Sequence, residues 1–348
     1  MASRRNEINS IEIARLAGVS RSTVSRVVNN YPNVPPETRE KVMRIIEEYN
    51  YFPNMSAQVL AGKKTRTIGL FLVDAGHVAG DILANMLISS VIENASGCGY
   101  YVLTHILRST ADGDAVRRVK EIFYQRRIDG GIFIGAPNEE PLIESLIAEG
   151  FAVGIVDQHL PGKSDPNRLV VNFDNATGMD LAVGYLAELN HRNIGIINGA
   201  MNRFSGPDKY ESFLRAMERR GLAVNPDWVL PGDFHESAGY EAISRLLASG
   251  KPLPTAIIAA NDSVAFGAMK ALKAHGLRVP DDLSIIGFDD HVLSAMQHPA
   301  LTTVRVDFDL LMKQLTDGLI RYIETGAAFT EPYVAPSELI IRDSCRSL

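Results

Sequence analysis

Hydrophobic spacing along this chain changes character once, near residue 66. Before that point apolar positions recur at three- and four-residue intervals. Ile13, Leu16 and Ala17 form one set, Val24, Val27 and Val28 a second, and Val42, Ile45, Ile46 and Tyr49 a third. That period puts each set on one stripe of a helix. Asn9 followed by Glu12 has capping-box spacing, Gly18-Val19-Ser20 breaks the first helix, and Ser20 can cap the next. Three short helices with a Gly-containing turn between the first two predict a helix-turn-helix. The segment "PNMSAQVLAGKKT" then leads out of this region.

From Thr67 onward the pattern is one of short continuous apolar runs: "TIGLFLV", "YVLTHI", "GGIFIGA", "FAVGIVD", "LVVNF", "NIGIING", "TAIIAA" and "LSIIGFDD". Amphipathic stretches such as "DAVRRVKEIFYQRR" and "GPDKYESFLRAMERRG" lie between most of them. Apolar strands alternating with helices predict parallel sheets covered on both faces. The expected fold class is an all-α helix-turn-helix head on an α/β body of two Rossmann-like lobes. The expected boundaries are 1–52 for the head, 53–66 for a hinge helix and linker, and 67–348 for the body. Within the body, the first lobe is expected at about 67–167 and 297–325, the second at about 168–296 and 326–348. Ligands in such folds bind at the carboxyl ends of the strands, often in the crevice between lobes. Several strands end in polar residues there: Asp157, Asn261-Asp262 and Asp289-Asp290. Each can cap a helix or open a turn, and together they can serve as partners for a polyhydroxylated ligand.

Charge sharpens the division. The formal net charge of the 348 residues is −6, yet residues 1–66 hold eleven Lys/Arg against six Asp/Glu, so the rest is strongly acidic. A basic module on an acidic body points to a small polyanion-binding head. In "AGVSRSTVSRVVNN" the helical period turns the valines inward and leaves Arg21, Ser22, Ser25, Arg26 and Asn29 outward. Short hydroxyls let a backbone approach phosphates, and Arg can pair with guanine O6 and N7 in the major groove. Apolar runs stay at strand length, and the N-terminus lacks the apolar stretch of an export signal, so a cytoplasmic protein is expected. Cys98 and Cys345 have no metal-spaced neighbours, so neither a cofactor nor a metal is expected. An enzyme has little support. There is no GxGxxG after the first strand, no GxSxG and no Walker loop, and His105, His159 and His191 fall in no catalytic pattern.

At this point the chain resembles the lactose-repressor/galactose-repressor (LacI/GalR) family. "IARLAGVSRSTVSRVVNN", "TREKV", "YNYFPN" and "AQVLAGKKT" match its DNA-binding head. "YLAELNHRNIGIING", "PTAIIAANDSVAFGAMKAL", "LSIIGFDD" and "PALTTVRVDF" read in order as landmarks of its body, which is of the periplasmic-binding-protein type. The resemblance implies a repressor that binds a near-palindromic operator as a dimer. It makes Arg21 and Ser22 the variable base-reading positions and Arg26 a near-constant arginine. Thr23, Ser25, Asn29, Tyr51 and Asn54 fall with the positions that contact DNA or lie beside it, and Leu60 with a minor-groove wedge. An apolar wedge kinks the duplex at a cost of a few kcal/mol, offset by added contacts.

For the body, the resemblance implies a small metabolite, most often a sugar or sugar derivative, between the lobes. Asn261 and Asp289 match frequent ligand positions, Phe173 and Phe234 match walls, and Arg108 and Ser205 match pocket positions. Asp157 joins them at its strand end. Three departures stand out. Lys209 replaces the usual pocket arginine and lacks its planar fork. Pro35-Pro36 replaces the usual cap of the third helix, and "DAGHVAGDILANM" replaces the usual first-lobe wall. A solute-binding protein is the alternative for the body, disfavoured by residues 1–66. With no heptad tail after "SELIIRD", a dimer is expected and not a coiled-coil tetramer.

Overall fold

A computed structural model describes residues 8–52, 59, 62–73, 78, 82–327 and 332–348. The chain divides into two compact units, Met1–Thr65 and Arg66–Leu348.

The first unit holds α1 (Ser10–Ala17), α2 (Arg21–Val28) and α3 (Pro36–Glu48). The capping box forms: Asn9 accepts from Ile11 and Glu12, and the Glu12 carboxylate returns to the Asn9 N–H at 3.3 Å. Gly18 closes α1 in the left-handed region at φ 61°, where a side chain would be strained. Ser20 caps α2 through the Thr23 N–H at 3.1 Å. Helix α3 opens on Pro36 with no side-chain cap, as the double proline predicts. Ile13, Ala14, Ala17, Val24, Val27, Val34 and Val42 form one core, and each buried Val contributes about 1.5–3 kcal/mol by leaving water.

The second unit carries two six-stranded sheets with helices on their faces. Its elements run β1 (Thr67–Val73), α4 (Ile82–Gly97), β2 (Tyr101–Leu107), α5 (Gly113–Tyr124), β3 (Gly130–Ile134), α6 (Pro141–Ala148), β4 (Ala152–Val156) and β5 (Arg168–Phe173). They continue with α7 (Asn175–Glu188), β6 (Ile194–Ile197), α8 (Ser205–Arg219), β7 (Val229–Leu230), α9 (Glu236–Ala248), β8 (Ala256–Ala259), α10 (Asp262–Ala274) and β9 (Ser284–Asp289). β10 (Thr302–Val306), α11 (Phe308–Thr325), β11 (Tyr333–Ala335) and β12 (Ser337–Ile340) complete the unit. The first sheet is ordered β11-β5-β4-β3-β1-β2 and the second β12-β10-β9-β8-β6-β7. Every pair is parallel except β10 with β12.

All eight strand runs read from the sequence form strands. The lobe boundaries at 167/168, 296/297 and 325/326 do not hold, the last because β11 pairs with β5 in the first sheet. β5 pairs with β4 in the first sheet, with Val153 opposite Arg168 and Val156 opposite Val171. β10 pairs with β9 in the second. The chain therefore crosses after Phe173, returns between β10 and α11, and crosses again between β11 and β12. Asp174 and Asp307 stand at the first two crossings and cap α7 and α11. The N–H of Asp174 also donates to the Ala335 carbonyl at 2.9 Å, and Ser337 Oγ donates to the Asp174 carbonyl at 2.8 Å. β2 departs from the expectation of coverage on both faces. It is the edge of its sheet, and Tyr101 is 72% exposed.

Candidate functional site

The head presents one face of α2. Arg21, Ser22, Ser25 and Arg26 are exposed, and Thr23 and Asn29 are half-buried. Arg21 Nε donates to Ser10 Oγ at 3.2 Å, which steadies the guanidinium at the helix start. Thr23 and Ser22 hydroxyls share Ser20 Oγ at 2.9 and 2.7 Å. Asn29 Nδ2 donates to Ser25 Oγ at 3.2 Å, while its buried Oδ1 has no partner among the described residues. Tyr51 is half-buried and packs on the head core. No acidic residue lies on α2, so its open face is a cationic, hydroxyl-bearing surface. Asn54 and Leu60 lie outside the described residues.

In the second unit a cavity of about 120 Å³ opens at the carboxyl ends of both sheets. A cavity of roughly 150 Å³ holds a benzene ring, so this one suits a single small ring. Its first-lobe wall is Leu83, Leu87, Ile134, Gly135, Val156, Asp157, Phe173 and Phe308, and its second-lobe wall Arg203, Ser205, Lys209, Phe234, Asn261 and Asp289. The sequence thus places Asp157, Phe173, Ser205, Lys209, Phe234, Asn261 and Asp289 around one space.

Asp157 follows β4 with a left-handed backbone, φ 69°. Its Oδ2 accepts from Ser205 Oγ across the lobes at 2.7 Å, while its buried Oδ1 has no partner among the described residues. Burial pushes its pKa up, against the Ser205 hydrogen bonds and the nearby Lys209 and Arg203 charges. Lys209 is buried on α8, 4% exposed. Its Nζ donates to the Ala260 carbonyl at 2.7 Å and lies 3.6 Å from the Phe288 ring centroid. Burial lowers its pKa, opposed by Asp289, Asp157, Asp262 and Asp208.

The strand-end polar residues divide by role. Asn261 caps α10 through the Val264 N–H at 2.9 Å and donates to the Phe234 carbonyl at 3.0 Å, so it fixes the cavity wall as well as lining it. Asp262 faces away. It accepts from His291 N–H at 2.7 Å, Ser294 Oγ at 2.6 Å and Thr303 Oγ1 at 2.5 Å, and burial pushes its pKa up to about 7. Asp290 is paired with Arg305 at 2.7 Å and Arg342 at 2.6 Å, a structural task. Asp289 alone of this pair lines the cavity, with φ 113°.

Aromatic faces complete the space. Phe173 meets Phe308 edge-on at 5.6 Å, and the Arg203 guanidinium lies 5.6 Å from the Phe234 centroid. The Phe234 ring is seated on Gly199, where a Cβ would stand 2.4 Å away. Arg108 is not brought to the cavity. It follows the edge strand β2 and is exposed. Sequence reasoning missed Arg203, Phe308 and the α4 leucines. Arg203 had a signal, lying two residues before Ser205 in the loop after β6. Two cations, two carboxylates and aromatic faces suit a small ring bearing both donors and acceptors. Among the described residues no His, Cys, Asp or Glu group is placed to hold a metal ion, and no helix is long and apolar enough to cross a membrane.

Known proteins share both parts. Residues 11–54 match the family model of bacterial regulatory proteins, lacI family, and residues 183–345 match that of the periplasmic binding protein-like domain. The transcriptional repressor PurR of Haemophilus influenzae is 34% identical over 345 residues, covering 97% of this chain and 98% of that protein. The probable transcriptional repressor ExuR of Bacillus subtilis is 31% identical, covering 97% and 98%. Among solved structures, the lac repressor dimer bound to operator and an anti-inducer superposes with a TM-score of 0.81 at 28% identity, covering 98% of this chain and all (100%) of that one. The complex of the regulator CelR with cellobiose gives a TM-score of 0.73 at 27% identity, covering 97% and 99%. The chain belongs to the LacI family, as a transcriptional repressor with a helix-turn-helix head and a periplasmic-binding-protein-like body.

Proposed function

We propose that this repressor acts in the cytoplasm, binds a near-palindromic operator as a homodimer, and is controlled by a small metabolite in the inter-lobe cavity. The observation that carries the reading is the pairing of a carboxylate-free, exposed Arg/Ser face on α2 with a cavity built from both lobes. Arg21 and Ser22 read bases, while Arg26, Thr23, Ser25, Asn29 and Tyr51 set the helix on the duplex, with Asn54 and the Leu60 wedge completing the contact. In the cavity, Asp289 and Asp157 accept from a hydroxyl-bearing ring, Arg203 and Lys209 meet its acceptors, and Phe234 and Phe173 cover its faces. A sugar or sugar derivative has that chemistry, and the solved relative with cellobiose bound supports the class. The solved lac repressor dimer supports assembly by twos. The outward face of α4 with the open edge of β2 suits a second copy, since Met86, Ile92 and Ile106 are exposed there.

The test is selection of full-length protein on a random duplex pool, followed by gel shift at several salt concentrations. Two inverted half-sites and a steep loss of affinity with salt are expected. Binding without sequence preference overturns the near-palindromic operator reading. Thermal shift against monosaccharides, uronates and sugar phosphates then identifies the ligand, because a ligand of the folded state alone raises Tm.

A further inference from the structure

The two exposed residues at the start of α2 are held in different ways. Ser22 is held within its own helix, its Oγ lying 2.7 Å from Oγ of Ser20, the cap of α2. Arg21 is held from α1. Its Nε donates at 3.2 Å to the hydroxyl of Ser10, eleven residues earlier and the first residue of that helix. Arg21 is itself the first residue of α2, so one side chain ties the opening turns of two helices together.

Both ends of the tie are firm. The capping box encloses Ser10: Asn9 Oδ1 accepts from the Ile11 and Glu12 N–H groups at 2.9 and 3.1 Å, and the Glu12 carboxylate returns to the Asn9 N–H. Arg21 follows Ser20, whose Oγ accepts from the Thr23 N–H at 3.1 Å. Ile13, Ala14 and Ala17 of α1 share one core with Val24 and Val27 of α2, and that packing fixes the distance between the two mounts.

A guanidinium offers five N–H donors in a rigid plane, with one fork at its Nη1/Nη2 end and another along its Nε/Nη2 side. Ser10 takes the Nε–H and so closes the side fork. The end fork is left, with two parallel N–H bonds that match paired acceptors such as guanine O6 and N7. The hydroxyl is also neutral. It orients the guanidinium without cancelling its charge, as a carboxylate in its place would, and the Glu12 carboxylate of α1 is engaged at the Asn9 N–H instead.

We infer that Ser10 is a positioning residue for base reading: by holding Nε it presents the end fork of Arg21 to the major groove, so half-site choice depends on α1 as well as on α2. The inference rests on Arg21 being a base-reading position.

The experiment is competition binding of the full-length protein to its selected operator and to duplexes carrying each other base at one half-site position at a time. Ser10→Ala should lower the preference at the position read by Arg21 by about fivefold, the worth of one hydrogen bond, and at no other position. The dependence of affinity on salt should keep its slope, since no phosphate contact is lost. Ser10→Thr, which keeps a hydroxyl, should restore the preference. In an Arg21→Ala background, Ser10→Ala should change nothing further. An unchanged preference in Ser10→Ala, weaker binding to every duplex alike, or the same loss with and without Arg21 overturns the positioning role and leaves base reading by Arg21 standing. If Arg21→Ala itself shifts the preference at no position, base reading at Arg21 has failed, and the positioning role falls with it.

Discussion

Asp262 and Asp289 are both acids at the ends of neighbouring second-lobe elements, and their surroundings give them opposite tasks. Asp262 spends both oxygens on three donors from the protein and is held at a pKa of about 7, above its ordinary 3.8, by burial. Between about pH 4 and 7 the folded state therefore keeps a proton there that the unfolded chain has released. Stability from this group is full below about pH 4 and is lost as pH rises through about 7. Asp262→Asn should remove that slope from urea-unfolding curves of the body between pH 5 and about 7.5, while costing about 1–3 kcal/mol at pH 5 for the unmet His291 N–H. A difference between the two proteins that does not vary with pH would refute the assignment. Asp289 lines the cavity instead, so Asp289→Ala should abolish the response of operator binding to the metabolite found by thermal shift. Operator affinity without that metabolite should stay within about twofold. A normal response would remove Asp289 from the site.

At the scale of elements, α2 separates into a face that holds it to the head and an open face of Arg and Ser. Val24 and Val27 are buried against α1 and α3, so the helix cannot roll, and the four exposed Arg and Ser positions are presented at fixed angles. Exchanging Arg21 and Ser22 together should change the selected half-site, with about 1–3 kcal/mol of discrimination moved at the bases they contact. Arg26→Ala should weaken all sites alike. An unchanged selected sequence after the Arg21/Ser22 exchange would defeat the base-reading assignment.

The helices of the head and the eight strand runs were legible because each is a local pattern with a cap or a bounded apolar run. The pairing of β5 was not, since a strand of "LVVNF" says nothing about which neighbour it hydrogen-bonds. Arg108 and Arg203 show the same limit at the cavity. Both follow strands of suitable pattern, but β2 proves to be an edge while β6 lies inside its sheet, and only strand order reveals that.

For the whole molecule, the first lobe leaves β2 open at its sheet edge, beside a helix α4 whose exposed positions carry few charges. Burying this face against a second copy covers Ile106 and Ile92 together, and it hides an edge that invites irregular pairing. Ile106→Asp, at a position 40% exposed, should leave Tm little changed and shift the protein to monomers in analytical ultracentrifugation. Operator affinity should fall by at least about tenfold, since two half-sites are then bound separately. A dimer that survives this change would place the interface elsewhere.

The three crossings between lobes also bear on how the protein is made. Neither lobe is a continuous stretch of sequence: the first needs α11 and β11, and the second needs β12. During synthesis from the N-terminus the head can fold as soon as it emerges, whereas both sheets wait for the last strands before their edges are complete. A chain that stalls after residue 300 would thus carry two unfinished sheets behind a finished DNA-binding head. Quality control of such fragments would fall to proteases and chaperones that recognise open strand edges.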